Sequence, residues 1–167
     1  MLMSPAARKL ALTAHVATSV GWLGAVIAFL ALSVIGLTAR DEAVARGVYL
    51  VMEPAARYTL VPLAFASLLT GIIQSLGTEW GLFRHYWVLF KLALTMLATL
   101  VLVTYMGTFR AMAQSAADAA TPLAIVRNPS PVVHAVLALL VLLATTVLAI
   151  YKPRGVTPYG WRSSSRR

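Results

Sequence analysis

Four long apolar runs constrain the fold of this chain more than any other feature. They cover residues 10–37, 58–76, 86–109 and 132–151, and the only charged residue inside them is Lys91. A helix needs about 20 mostly apolar residues to cross a hydrocarbon layer of about 30 Å. Helices are required because each backbone N–H and C=O must be paired inside the membrane, and these runs lack the alternation of barrel strands. We therefore predict an all-α transmembrane four-helix bundle, with residues 1–167 forming one membrane domain.

The composition excludes several other classes of protein. Only 11% of the residues are charged and 60% are hydrophobic, whereas a soluble domain carries about 25% charged residues. The absence of cysteine excludes disulfides and thiolate metal sites. The first run is too long for the apolar core of a signal peptide, so we expect the chain to retain it.

The distribution of basic residues predicts how the chain is oriented. Nine of the 14 lysine and arginine residues lie at the end that carries both termini, with Arg166 and Arg167 among them, and five lie in the other loops. The positive-inside rule then predicts a multi-pass protein of the cell (plasma) membrane with both termini in the cytoplasm (N-in/C-in). The net charge of +9 favours contact with a bilayer that contains anionic lipid. No nucleic-acid partner is expected, because the basic residues form no common face.

Two connections at the opposite end are predicted to be the longer loops. They run over Thr38–Arg57 and Arg110–Pro131. Within the first, Gly47–Met52 is apolar enough either to extend the second helix or to lie on the membrane interface. Pro62 is expected to kink the second helix, because proline lacks the N–H that the helix would use.

Polar residues inside the spans are the candidates for chemistry, because burying them in lipid is costly. The five candidates are His15, Gln74, His85, Lys91 and His134. The spans contain no Asp or Glu, which argues against a carboxylate proton relay. The sequence also lacks the HExxH, GxSxG and phosphate-loop motifs of membrane proteases, esterases and nucleotide hydrolases.

His15 and His85 are expected at similar depth near the end that carries the termini. The first and third helices of an up-down bundle are diagonal, so inward side chains on them can face each other. Two imidazoles placed in this way could be the axial ligands of one haem b, with Arg84 and Lys91 pairing with its propionates. The alternative is structural: His15 bonds a neighbouring helix, His85 joins an interfacial aromatic belt, and Lys91 extends to the interface.

A second site is conceivable at the opposite end. His134 opens the fourth helix there, and Met52 and Glu53 lie at the outer end of the second. A His/Met pair with a carboxylate suits copper or an axial haem ligand. The structural alternative is a His134 side chain that only makes hydrogen bonds in the loop layer.

Three segments carry a resemblance to known proteins. They are Leu10–His15, Gly81–Trp87 and the tail Tyr151–Arg162 (YKPRGVTPYGWR). With them the chain resembles small four-span actinobacterial integral membrane proteins grouped as a domain of unknown function. The resemblance covers nearly the whole chain and implies its fold and location, but no activity.

A more distant likeness is to four-helix b-type cytochromes of the cytochrome b561 type. Those proteins carry a histidine early in the first helix, as His15 is here, and one near the start of the last helix, as His134 is here. They ordinarily have a second histidine on the last helix, whereas Thr145–Tyr151 contains none. The likeness therefore implies one haem, or a haem and a second metal, rather than two haems.

The leading prediction is an integral membrane protein that binds haem or another metal and has a redox or electron-transfer role. Its partner would be a quinone or a redox protein, and whether it is an enzyme is left open. One alternative is a non-catalytic structural or accessory protein, and a transporter comes third because the central spans are almost purely apolar. A small-residue surface at Gly21 and Gly24 could serve a homodimer or packing within one chain.

Overall fold

The computed structural model describes residues 3–164, and this part of the chain is built from helices. Four helical stretches are long and apolar enough to cross a membrane: 5–38, 42–77, 86–117 and 123–151. The predicted all-α four-helix bundle is thereby confirmed. The helices are α1 (Pro5–Thr38), α2 (Glu42–Ala55), α3 (Val61–Gly77), α4 (Tyr86–Ala117), α5 (Leu123–Val126), α6 (Ser130–Tyr151) and α7 (Pro158–Ser164).

The connection after α1 is much shorter than the sequence predicts. Only residues 39–41 separate α1 from α2, and Asp41 caps α2 by accepting a hydrogen bond of 2.8 Å from the backbone N–H of Ala43. Glu42 and Arg46 then form an ion pair one helical turn apart. A cap and an ion pair of this kind stabilise helical turns outside the hydrocarbon. The second helix is therefore extended outward through Gly47–Met52, which was one of the two alternatives for this segment.

The second span is continuous but contains one widened turn. A π-helical segment, Ala56–Leu60, joins α2 to α3, and the N–H of Val61 donates to the carbonyl of Ala56. Pro62 follows directly, and its ring cannot accommodate the normal helical turn before it. The irregularity expected at Pro62 thus takes the form of a π-helical turn, which is a common site of bending in long helices.

The four spans are arranged in sequence around the bundle. The first span packs against the second and fourth, and so does the third, while the described backbones of α1 and α4 make no close contact. The first and third spans are therefore diagonal, as the up-down arrangement predicts. Side chains meet across this diagonal at the centre, where the rings of Phe29 and Phe109 lie 5.8 Å apart.

Both described chain ends lie at the same end of the bundle. The N–H of Met3 donates to the carbonyl of Gly77 at the end of α3, and Val156 pairs with His85 in an antiparallel β-bridge. The even number of spans accounts for this placement. Arg166 and Arg167 were counted in the charge balance and lie outside the described residues. The cytoplasmic location of this end stays a prediction from that balance.

The C-terminal tail is docked on the connection between α3 and α4. The hydroxyl of Thr157 donates to the carbonyl of Phe83 at 2.5 Å, and the Thr157 N–H donates to the carbonyl of Arg84 at 2.9 Å. The same hydroxyl accepts a hydrogen bond of 3.1 Å from the N–H of Gly160. A Cβ atom on Gly160 would lie 2.6 Å from the Arg84 carbonyl oxygen, so this position requires glycine for the close approach of two backbones.

Replacing Gly160 by alanine should release the tail. Because the new methyl group would overlap the backbone oxygen of Arg84, we expect amides of residues 155–164 to exchange at least about tenfold faster with deuterium. The matched control is Gly155→Ala, whose added Cβ would meet only ordinary contact at 3.4 Å from Tyr86. Equal exchange rates in the two variants would contradict the docking.

The opposite end is held by arginine side chains bonded to backbone carbonyls. The guanidinium of Arg46 donates to the carbonyls of Asp118 at 3.0 Å and Thr121 at 2.6 Å, beyond the last turn of α4. Arg127 reaches the carbonyl of Ala39 at 2.5 Å. Tyr49 is fully buried beside them, and its hydroxyl accepts from the N–H of Asn128. The two arginines thus pair carbonyls at and just beyond the C-terminal ends of α1 and α4, where no further helical N–H is available.

Candidate functional site

A cavity of about 390 Å³ lies among four helices in the half of the bundle that carries the chain ends. The helices α1, α3, α4 and α6 all contribute to its wall, and the cavity is partly open, since wall residues such as Val20 and Ile150 are 62% and 69% exposed. Most of the wall is apolar, which is typical of sites for small molecules. Its polar side chains include His15, Ser67, Gln74, Lys91, Thr95 and Thr145.

The His15 ring is fixed by a threonine on the neighbouring helix. Its Nδ1 lies 3.2 Å from the hydroxyl oxygen of Thr70. That hydroxyl also lies 2.6 Å from the carbonyl of Ala66, to which it can donate its proton, and in that arrangement it accepts from Nδ1 of His15. Nδ1 then carries the ring proton and Nε2 keeps its lone pair. This is the tautomer that can bind a metal ion or accept a hydrogen bond.

Small and polar residues let α1 and α3 approach closely around His15. The Ser19 and Ser67 hydroxyls are 2.8 Å apart. A Cβ atom on Gly71 would lie 3.0 Å from Cε1 of His15, so the imidazole occupies the space above this glycine. Such contacts are typical of helix pairs in membranes, and here they define where the imidazole lies.

Lys91 contributes a positive charge without a partner to the same cavity. Its side chain is half-buried, and it makes no ion pair or hydrogen bond within the described part of the chain. Two further polar atoms, Oε1 of Gln74 and the hydroxyl oxygen of Thr78, are buried without a hydrogen-bond partner among the described residues. Buried polar atoms are ordinarily paired, so these two oxygens in residues of the cavity wall are exceptions.

His85 and Arg84, which were predicted to join His15 and Lys91, lie outside the cavity wall. The Nδ1 of His85 donates to the carbonyl of Trp80 at 2.7 Å, and its ring packs edge-on against the Trp80 ring at 5.4 Å. Arg84 donates instead to the carbonyl of Glu79. The structure thus brings His15 and Lys91 together and places the other two residues in the connection between α3 and α4.

The three outer candidates have separate surroundings. The Nδ1 of His134 lies 2.9 Å from the carbonyl of Ser130, and its ring stacks on Tyr105 at 4.0 Å. Met52 is buried in the core, and Glu53 pairs with Arg57 one turn away on its own helix. Within residues 3–164, no group of three or more His, Cys, Asp or Glu side chains is close enough to hold a metal ion.

Two residues that shape the site were missed by the sequence interpretation. Thr70 contacts Nδ1 of His15, and Lys152 lines the cavity with its ammonium 4.8 Å from the Trp80 ring centre. Thr70 shares a helix face with Ser67 and Gln74, and this helical spacing could have identified Thr70 from the sequence. Lys152 follows the last span, where a basic residue is expected for orientation alone.

Comparison of the chain with protein-family models, curated proteins and solved structures found no match.

Proposed function

We propose that the chain is an integral membrane haem-binding protein with a redox role, in which His15 is the ligand to the iron. The observation that carries this proposal is the 3.2 Å contact between Nδ1 of His15 and the Thr70 hydroxyl at the cavity wall. A protonated Nδ1 bonded to Thr70 leaves the Nε2 lone pair of His15 for a metal at a largely apolar cavity. A second partner that orients a ligand histidine in this way is a general feature of metal sites in proteins.

The residues of the cavity fit the different parts of such a cofactor. The apolar wall would hold the macrocycle and keep water away from it, which lowers the local dielectric and tunes the reduction potential. Lys91, which lines the cavity, would pair with a propionate. Bound haem would supply one-electron chemistry at its iron.

The proposal assigns one imidazole rather than two. His15 is the only histidine that lines the cavity among the described residues, since His85 is bonded to Trp80 and His134 lies at the other end of the bundle. The separate surroundings of Met52 and Glu53 give no support for a copper site, so the proposal is confined to the cavity.

The proposed location and orientation in the membrane follow from the distribution of basic residues and from the hydropathy of the spans. The basic end of the bundle supports a location in the plasma membrane with the cavity opening toward the cytoplasmic half. A lipid-soluble quinol or a redox protein would exchange electrons with the cofactor. Gly21 already contacts Leu63 within the chain, whereas a Cβ on Gly24 would meet nothing within 4 Å, so any homodimer contact would centre on Gly24.

The experiment is a haem titration of the purified full-length protein in detergent, followed by the Soret absorption band. We expect saturable binding by the wild type and its loss in His15→Ala. The matched controls are His85→Ala and His134→Ala, which should bind haem like the wild type because neither ring lines the cavity.

Two results would contradict the proposal. One is a wild-type protein that takes up no haem, which would favour the alternative of a structural or accessory membrane protein. The other is haem binding that is unchanged in His15→Ala, since the iron would then be held elsewhere.

A further inference from the structure

The charged side chains in the wall of the cavity are all positive. Two ammonium groups, those of Lys91 and Lys152, belong to its wall, and no Asp or Glu from the described residues does. Lys152 lies over the ring of Trp80, whereas Lys91 has neither an ion pair nor a hydrogen bond in the described part of the chain. The wall therefore carries an excess of positive charge.

An unpaired ammonium group in an apolar wall is costly unless an anion accompanies it. Lys91 is the sixth residue of α4, and the cavity continues deeper, past Thr95 to Leu142 of α6. Buried or half-buried apolar side chains, including Trp22 and Leu23 of α1, line this deeper part. A complementary molecule would carry a negative group near Lys91 and an apolar body that extends into the bundle.

We propose that the cavity recognises amphiphiles that carry an ionised carboxylate, and that Lys91 is the residue that pairs with this group. The inference rests on the proposed function for its assignment of the cavity as the binding site, but it requires no iron. Two sources share the required chemistry: a carboxylated macrocycle such as a porphyrin, and a long-chain fatty acid. Lys152, at the mouth beside Trp80, adds to the positive potential.

The test compares a porphyrin with its neutral ester, which differ only at the carboxylates, and adds a fatty acid as a second carboxylated amphiphile. The full-length protein in detergent is titrated with iron-free protoporphyrin, with its neutral dimethyl ester, and with a fluorescent long-chain fatty acid, and binding is followed by fluorescence. We expect the free porphyrin to bind at least about tenfold more tightly than its ester, as a charge-assisted hydrogen bond requires. Equal affinities for the acid and the ester would overturn the proposal.

The same titrations on variants test whether Lys91 is the residue that pairs with the carboxylate. Lys91→Met should lose the preference for the free acid, and Lys91→Arg should retain it. Lys9→Met is the matched control, because Lys9 is exposed and lies outside the cavity wall. An acid preference that survives in Lys91→Met would overturn the assignment of Lys91. Circular dichroism and gel filtration of each variant show that the fold is retained.

The remaining outcomes distinguish a porphyrin from a fatty acid as the ligand. They also distinguish the carboxylate proposal from the proposed haem-binding function. Fatty acid binding that depends on Lys91 would extend the site to single-chain acids, whereas binding of the porphyrin alone would assign it to macrocycles. If haem binds no more tightly than iron-free porphyrin, and His15→Ala changes neither affinity, the proposed function fails while the carboxylate preference stands.

Discussion

Replacing Thr70 by valine is expected to weaken haem binding by about ten- to a hundredfold. Valine keeps the shape of threonine but removes the oxygen that accepts from Nδ1 of His15, 3.2 Å away. The imidazole then loses the bond that sets both its rotation and its tautomer. Loss of such a supporting residue typically costs about 10- to 100-fold in metal affinity. The measurement is the dissociation constant of haem for the purified variant.

Two further variants separate this effect from a general loss of packing. Thr70→Ser keeps the hydroxyl and should bind haem within a few-fold of the wild type. Thr146→Val is the matched control, because Thr146 also lines the cavity but its hydroxyl donates only to the carbonyl of Leu142 on its own helix. If Thr70→Val bound haem as tightly as Thr146→Val, the role assigned to Thr70 would be wrong.

Replacing Arg46 by methionine is expected to lower the free energy of unfolding by about 2–4 kcal/mol. The Arg46 side chain is only 14% exposed. Its guanidinium donates to three backbone carbonyls, those of Ala116, Asp118 and Thr121. Methionine keeps the apolar part of the side chain but leaves those carbonyls unpaired. The measurement is equilibrium unfolding of the purified protein in mixed micelles.

The control for this variant is Arg40→Met. Arg40 lies in the same region, is exposed, and makes no hydrogen bond or ion pair to another described residue, so its loss should change the stability by less than about 0.5 kcal/mol. Similar losses in the two variants would show that positive charge, rather than the carbonyl bonds of Arg46, stabilises this end. Haem binding should be unaffected in both, because the cavity lies at the other end of the bundle.

The bundle itself could be predicted because each backbone N–H and C=O in the hydrocarbon must be paired within the protein, which long apolar segments achieve as helices. Apolar runs such as 10–37 and 132–151 are long enough to span, and the short second connection, residues 77–85, requires the two spans it joins to be antiparallel. The helix ends were less predictable: α1 begins at Pro5, and α4 continues to Ala117, eight residues past the predicted end. Hydropathy marks where a segment leaves hydrocarbon, whereas capping and ion pairs decide where a helix stops.

The candidate site was predicted only in part. A sequence indicates how deep in the membrane a residue lies more readily than which neighbouring helix its side chain faces. His15 lies well inside α1 and was predicted to point inward toward the third span; the structure brings it to the cavity, where it contacts Thr70 of α3. His85 lies at the extended residue before α4 begins. Helical periodicity does not govern such a residue, and a local bond to Trp80 sets its orientation instead.

The role of the tail could not be derived from its residues. The segment Tyr151–Arg162 carries part of the family resemblance, but it is docked largely through backbone atoms of a distant segment, such as the carbonyl of Phe83, 74 residues before Thr157. Backbone carbonyls carry no sequence signal. The left-handed conformation of Lys152, with φ of 42°, which ends α6 and turns the chain back, likewise has no glycine to mark it.

The most direct test of His15 as the iron ligand is chemical rescue of His15→Gly by free imidazole. This variant removes the side chain and leaves a space beside Gly71 that imidazole can fill. The absorption spectrum of the haem-loaded variant is recorded with and without imidazole. We predict that the variant alone lacks the wild-type Soret band and that imidazole restores it. A wild-type spectrum without imidazole, or no change on its addition, would contradict the assignment.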